Sequence, residues 1–174
     1  MLCRCGKDLG IAGGQNNYML SGIEHYCSAF CFLDALKFTE TSPLGRATIR
    51  RSRLPRPFES WSFLTHSHYR SMWEVLFAEV MSFKDIKCVY EPYTLTLTNG
   101  QEYTPDFYLS DYNLFIETKG VWSGSGKKKL KQAISDGVRI DLLPYHLERS
   151  FSNLHKQLSS EIVTREQKIF GRIQ

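Results

Sequence analysis

From residue 62 almost to the end of the chain, apolar and polar positions alternate with periods that name the elements. In residues 71–83 (SMWEVLFAEVMSF), Trp73, Leu76, Phe77, Val80 and Met81 recur at spacings of three and four, which predicts a helix with one apolar face. Residues 87–91 and 93–98 read as strands. In the second, Leu95 and Leu97 alternate with Thr94, Thr96 and Thr98, as in a half-buried strand. Asn99-Gly100 is a strong hairpin-turn signal. Beyond it, residues 103–109 and 114–118 form two further predicted strands, turned through residues 110–113. Residues 127–135 read as a basic helix and 138–143 as a short central strand. Residues 150–166 read as a terminal helix with Phe151, Leu154, Leu158 and Ile162 on one face. The order predicts an α/β fold, a mixed central β-sheet flanked by helices.

The residues before this pattern are organised differently. Cys3-x-Cys5 and Cys27-x3-Cys31 bracket a stretch holding Gly6, Gly10, Gly13, Gly14 and Gly22. Two cysteine pairs across a glycine-rich loop suit a tetrahedral four-cysteine zinc site, with His25 as an alternate ligand. A metal would organise a segment too small to fold on its own core. Residues 28–38 read as a helix starting at the second pair. Residues 39–60 are polar, with Pro43, Pro55 and Pro57 and with Arg46, Arg50, Arg51, Arg53 and Arg56, and predict an extended linker. The expected organisation is a zinc-binding module at 1–38, an Arg-rich linker at 39–61 and a catalytic domain at 62–174. Cys88, on an apolar strand, reads as a core residue.

Composition changes this picture little. The 174 residues carry a net charge of +4, which is compatible with a nucleic-acid partner without requiring one. No apolar run reaches the roughly 18 residues of a membrane span, and the N-terminus lacks the apolar centre of a signal peptide. The expected location is the cytoplasm, where cysteines stay reduced and serve as metal ligands.

The chemistry concentrates in residues 103–122, YTPDFYLSDYNLFIETKGVW. Asp106 follows Pro105 in one predicted strand; Glu117 and Lys119, two apart, share a face of the next. Buried carboxylates brought together are costly unless a cation neutralises them. Hard oxygen donors suit Mg²⁺, or Mn²⁺, one or two per site. The expected ligands are Asp106, Glu117 and the Thr118 main-chain carbonyl. Lys119 would orient or deprotonate the attacking water, or stabilise charge on the phosphate. A third acid would complete a two-metal clamp. Glu74, on the preceding helix, is the first choice and Glu91 the second. Glu79, five residues beyond Glu74, turns about 140° away from it.

Asp106, Glu117 and Lys119 match the signature of the PD-(D/E)-x-K nuclease superfamily. More closely, residues 71–122 resemble the endonuclease I family of bacteriophage Holliday-junction-resolving enzymes, which also has a Tyr-Glu pair ahead of the hairpin, here Tyr90-Glu91, and a glutamate on the preceding helix, here Glu74. The turn between the acids is one residue longer here. A further acid of that family falls at about Val89 and is missing or replaced by Glu91. The resemblance implies a restriction-endonuclease-like fold and Mg²⁺-dependent hydrolysis of DNA phosphodiesters at branched DNA. It also implies a homodimer making paired cuts, and a host-cell cytoplasmic location for a phage-encoded protein. Two alternatives stand beside it: a site-specific homing, restriction or transposon-type endonuclease, and an inactive DNA-binding or structural module on a nuclease fold. YCSAFC, residues 26–31, resembles treble-clef and TRASH-like zinc knuckles.

The expected DNA contacts are Arg46, Arg50, Arg51, Arg53 and Arg56 together with Lys127, Lys128, Lys129 and Lys131 on the basic helix. His66 and His68 read as surface polar residues.

Overall fold

The computed structural model describes residues 3–7, 25–51, 60–119 and 124–170; for Lys119, Tyr145 and 163–170 it describes the main chain alone. In chain order the elements are α1 (Ala29–Ala35), β1 (Thr48–Arg51), β2 (Ser60–Ser62), β3 (Ser67–Tyr69) and α2 (Met72–Phe83). Then come β4 (Cys88–Tyr90), β5 (Tyr93–Thr96), β6 (Glu102–Tyr103), β7 (Phe107–Leu109) and β8 (Leu114–Lys119), and last α3 (Gly124–Ser135), β9 (Ile140–Pro144) and α4 (Glu148–Phe170). No helix among the described residues is long and apolar enough to cross a membrane.

The α/β class is as the periodicity predicts, but the strands do not form one sheet. The mixed sheet runs β4-β7-β8-β9. β7 is antiparallel to both β4 and β8, and β9 lies parallel to β8. A parallel neighbour needs a crossover, which α3 supplies. A second sheet, β1-β5-β6, is antiparallel, and β2 pairs with β3 as a separate hairpin.

The predicted strand 103–109 is therefore broken in two. Glu102–Tyr103 pairs with β5, and Phe107–Leu109 pairs with β4 and β8. Pro105 has no N–H to give to a ladder, so the chain changes sheets at Thr104-Pro105-Asp106. Asp106 thus stands at the bend before β7 and not within a strand.

Alternation along β8 sorts the core. Ile116, with Phe107, Leu109 and Leu143, packs on the face covered by α1, α2 and α4. Phe115, with Ile140 and Leu142, packs on the face covered by α3, Leu95, Leu97 and Tyr103. α2 is buried more widely than one stripe: Trp73, Val75, Phe77, Ala78, Val80 and Met81 are all inside, because the sheet, α4 and α1 surround it.

Two expectations about the N-terminal third change. The cysteine segment does not stand apart: Tyr26, Ala29 and Phe32 share the core of Phe77 and Phe151, and the fully buried Phe32 ring lies 6.0 Å from each of those two. The described part of residues 39–60 is not an extended linker either. β1 pairs with β5 from Thr48↔Thr96 to Arg51↔Tyr93. The Arg46 N–H donates to the Asp136 carbonyl at 2.7 Å, and the Arg139 N–H to that of Pro43 at 2.8 Å. Gly45, at φ +54, passes so close to Asp136 and Gly137 that a Cβ would lie 2.3 Å from the Asp136 carbonyl oxygen.

Candidate functional site

α2 begins at Ser71, whose hydroxyl accepts the Glu74 N–H at 3.2 Å. Glu74 reaches back past the cap, and its Oε2 accepts the N–H of Arg70, one residue before Ser71, at 2.8 Å. The same oxygen accepts the Tyr90 hydroxyl at 2.7 Å. Glu74 is buried, and these bonds give it a positioning role at the junction of β3, α2 and β4.

Arg70, which follows β3 directly, is the residue that sequence reasoning missed. Its Nη2 donates to Glu91 Oε1 and, at 3.0 Å, to Asp106 Oδ1, while Nε donates to the Tyr90 hydroxyl at 3.2 Å. Burial alone would lower the guanidinium's proton affinity. The Tyr90 bond and the charges of Asp106 and Glu91 outweigh it and raise it. One available signal was its place four residues before Glu74, at the N-terminal edge of an acid-bearing helix.

Asp106 is 2% exposed. Its Oδ2 accepts the Thr118 N–H at 2.8 Å and the Thr118 hydroxyl at 2.9 Å, so β8 holds it from across the sheet. Thr118 thus contributes two donors to Asp106. Glu91 follows β4 at φ +40, and its N–H donates to the Asp106 carbonyl at 2.8 Å. Glu117, 4% exposed, accepts the Tyr103 hydroxyl on Oε2 at 2.7 Å. Burial, then the Glu117 charge, push the Tyr103 hydroxyl well above the ordinary phenol range, so it stays a donor. Burial, then Glu74, raise Tyr90 in the same way. Lys119 ends β8 in register with Pro144; its side chain lies outside the described residues.

Asp106 and Glu117 line one cleft of about 270 Å³, together with Arg50, Arg70, Tyr103 and Lys129. Neither Glu74 nor Glu91 is among the described residues of its walls. Two buried carboxylates facing a small polar cleft with cations around it offer hard-oxygen donor chemistry suited to a divalent cation. A larger cleft of about 830 Å³ is framed by Tyr90, Trp61, His66 and His68, but Asp85 is its one acid among the described residues. Charge, not size, marks the smaller cleft as the candidate site.

The basic residues divide. Arg50 is paired with Glu102 through Nη2 at 2.9 Å on the rim of the cleft. Arg46 donates to the Ser135 carbonyl at 2.8 Å and stands 3.7 Å from Asp136. Arg51 is exposed on β1, and Lys128 and Lys131 are placed on α3 with Lys127 and Lys129. Arg53 and Arg56 lie outside the described residues.

Away from this cleft, Cys3, Cys5, Cys27 and Cys31 bring their sulfurs within 4.8 Å of one another, the one such gathering of three or more metal-binding side chains among the described residues. Cys3 lies 3.2 Å from Cys31 and 3.3 Å from Cys5, and Cys5 lies 3.6 Å from Cys27. The Cys27 N–H donates to the Cys3 sulfur at 3.1 Å. Four sulfurs so placed can hold a metal ion such as zinc, which takes thiolates at about 2.3 Å. His25 is outside the group and contributes its carbonyl to the Arg4 N–H. The Cys5 thiol is drawn down to about 7, first by a hydrogen bond with the Lys7 main chain and then by Cys3, whereas burial pushes Cys31 up to about 12. A thiol of that kind gives up its proton to a metal rather than to water. Cys88, pushed up by burial against the core, is a packing residue.

No protein-family model, curated protein or solved structure matches the chain.

Proposed function

We propose that the protein is a divalent-metal-dependent DNA endonuclease, with branched DNA as its substrate and the cleft of Asp106 and Glu117 as its active site. The observation that carries the reading is the pair of buried carboxylates on one small cleft, walled by Arg50, Arg70 and Lys129. The order α2, three antiparallel strands β4-β7-β8, α3 and the parallel β9 is the arrangement expected of a restriction-endonuclease-like core, and it supports the reading.

Asp106 and Glu117 would hold Mg²⁺ or Mn²⁺, which supplies polarisation of the scissile phosphate and acidification of a water. Thr118 and Tyr103 fix the two carboxylates by donating to them. Lys129 and Arg50 hold phosphate oxygens along the cleft. Lys119, two residues beyond Glu117, takes the attacking water. Arg51, Lys128 and Lys131 add sequence-independent attraction to the backbone. Paired cuts on a junction call for two copies of this site, hence a homodimer.

The test is incubation of purified protein with a four-way junction and a linear duplex of matched sequence, in Mg²⁺ and in EDTA. Mg²⁺-dependent cutting of the junction alone is the expected result. Site-specific cutting of the duplex would move the substrate to a restriction or homing type. No cutting of either, or an Asp106→Ala protein that still cuts, would overturn the assignment.

A further inference from the structure

Arg70 fits none of the expected roles, and its surroundings say what it does. The guanidinium stands against Asp106 Oδ1 at 3.0 Å and against Glu91, and it lines the same cleft as Glu117. It therefore supplies the positive charge that a buried Asp106 needs when no metal is bound. Its main chain is fixed separately, because Glu74 takes the Arg70 N–H. Tyr90 links the two by donating to Glu74 and accepting from Arg70 Nε. The base of the side chain is anchored while the side chain, 30% exposed, lines the cleft.

We propose that Arg70 is a catalytic arginine that exchanges partners. Without metal it neutralises Asp106 and Glu91, and with metal on Asp106 its fork turns to the scissile phosphate. The geometry suits the exchange. Arg70 holds Asp106 by a single bond from Nη2, and a guanidinium binds carboxylate and phosphate oxygens alike, so leaving one for the other needs rotation about side-chain bonds and no main-chain movement. Nη2 donates to both Glu91 and Asp106, so Glu91 keeps one of its N–H bonds and holds the guanidinium at the cleft. The exchange also sets an order of events, with metal entering before Arg70 is free for DNA. This inference rests on the nuclease reading and adds to it a residue and a sequence of binding steps.

The experiment compares wild type with Arg70→Gln and Arg70→Lys. Mn²⁺ affinity is measured by electron paramagnetic resonance, junction affinity in Ca²⁺ and in EDTA, and cleavage in Mg²⁺. A neighbouring charge moves a carboxylate's affinity for a proton by about 1–3 units. Arg70→Gln is accordingly expected to tighten Mn²⁺ binding by about tenfold or more, while cleavage falls by about a hundredfold. Its junction affinity falls in Ca²⁺ but not in EDTA, where Arg70 is engaged with Asp106. Arg70→Lys returns Mn²⁺ affinity toward wild type and restores cleavage only in part, since an ammonium lacks the fork. Unchanged or weaker Mn²⁺ binding in Arg70→Gln, in a protein that cuts, overturns this inference alone. A wild-type protein that binds Mn²⁺ and cuts neither substrate overturns the nuclease reading instead.

Discussion

Replacing Phe32 by alanine tests whether the cysteine segment and the sheet are one cooperative structure. The ring is fully buried, edge-on to Tyr26 at 5.2 Å and 6.0 Å from both Phe77 and Phe151. An aromatic side chain buries about 150–250 Å², and at about 25 cal/mol per Å² its loss costs about 4 kcal/mol. That agrees with the about 3–5 kcal/mol seen for Phe→Ala changes in cores. Against a domain stability of about 5–15 kcal/mol, the protein stays folded but is sharply weakened. With a urea slope of about 2 kcal/mol per M, the midpoint falls by about 2 M. The assay is a urea titration of zinc-loaded protein, following helix by circular dichroism and released zinc with a coloured chelator. Both transitions are expected to move down together. If zinc release shifts while the helix transition keeps its wild-type midpoint, the shared core is refuted and the cysteine segment is an independent module.

Three further outcomes are expected. Gly45→Ala adds a left-handed alanine, costing about 1–2 kcal/mol, and a clash with the Asp136–Gly137 main chain worth about 1–3 kcal/mol. Thermal melting should show a loss of about 3 kcal/mol, and a wild-type melting temperature would refute the close approach. Burial works to raise the Asp136 carboxyl, but hydrogen bonds from Thr98 and Gln132 outweigh it and hold the group below its ordinary value. Its contribution is therefore present above the unfolded value of about 3.9 and is lost as pH falls through the lower folded value. Melting temperature between pH 5 and pH 2 should fall less steeply in Asp136→Asn than in wild type, and parallel curves would exclude the effect. Cys27→Ser should lose stoichiometric zinc by metal analysis, and full retention would reject the four-cysteine ligand set.

What the sequence disclosed depended on the range of the interactions involved. α2, β8 and α4 announce themselves through local periodicity, and each lies within a few residues of its expected place. Asp106 and Glu117 were legible as candidates because their spacing matches a short hairpin. The pairing of β1 with β5 joins residues more than forty positions apart, and arginines and prolines masked it as linker. The break at Pro105 was visible in principle, since proline cannot serve a central ladder, but the flanking Tyr103 and Phe107 read as one strand. Arg70 and Tyr90 carry no spacing signal toward Asp106. Their roles arise only when β3, α2, β4 and the bend at Asp106 meet in space.

The change of sheets at residues 104–106 makes the candidate site a caliper. Tyr103, which holds Glu117, belongs to one jaw, and Phe107, next to Asp106, belongs to the other. What the two sheets set between them is the meeting of the Tyr103 hydroxyl with Glu117, while the gap between the carboxylates is set by the pairing of β7 with β8 in one sheet. Chain length added at the Asn99-Gly100 turn, where a Cβ on Gly100 meets nothing within 4 Å, leaves that gap untouched. A single residue added between Tyr103 and Phe107 moves the Tyr103 hydroxyl away from Glu117. Loop grafting at the first place and strict length at the second are the design rules that this joint imposes.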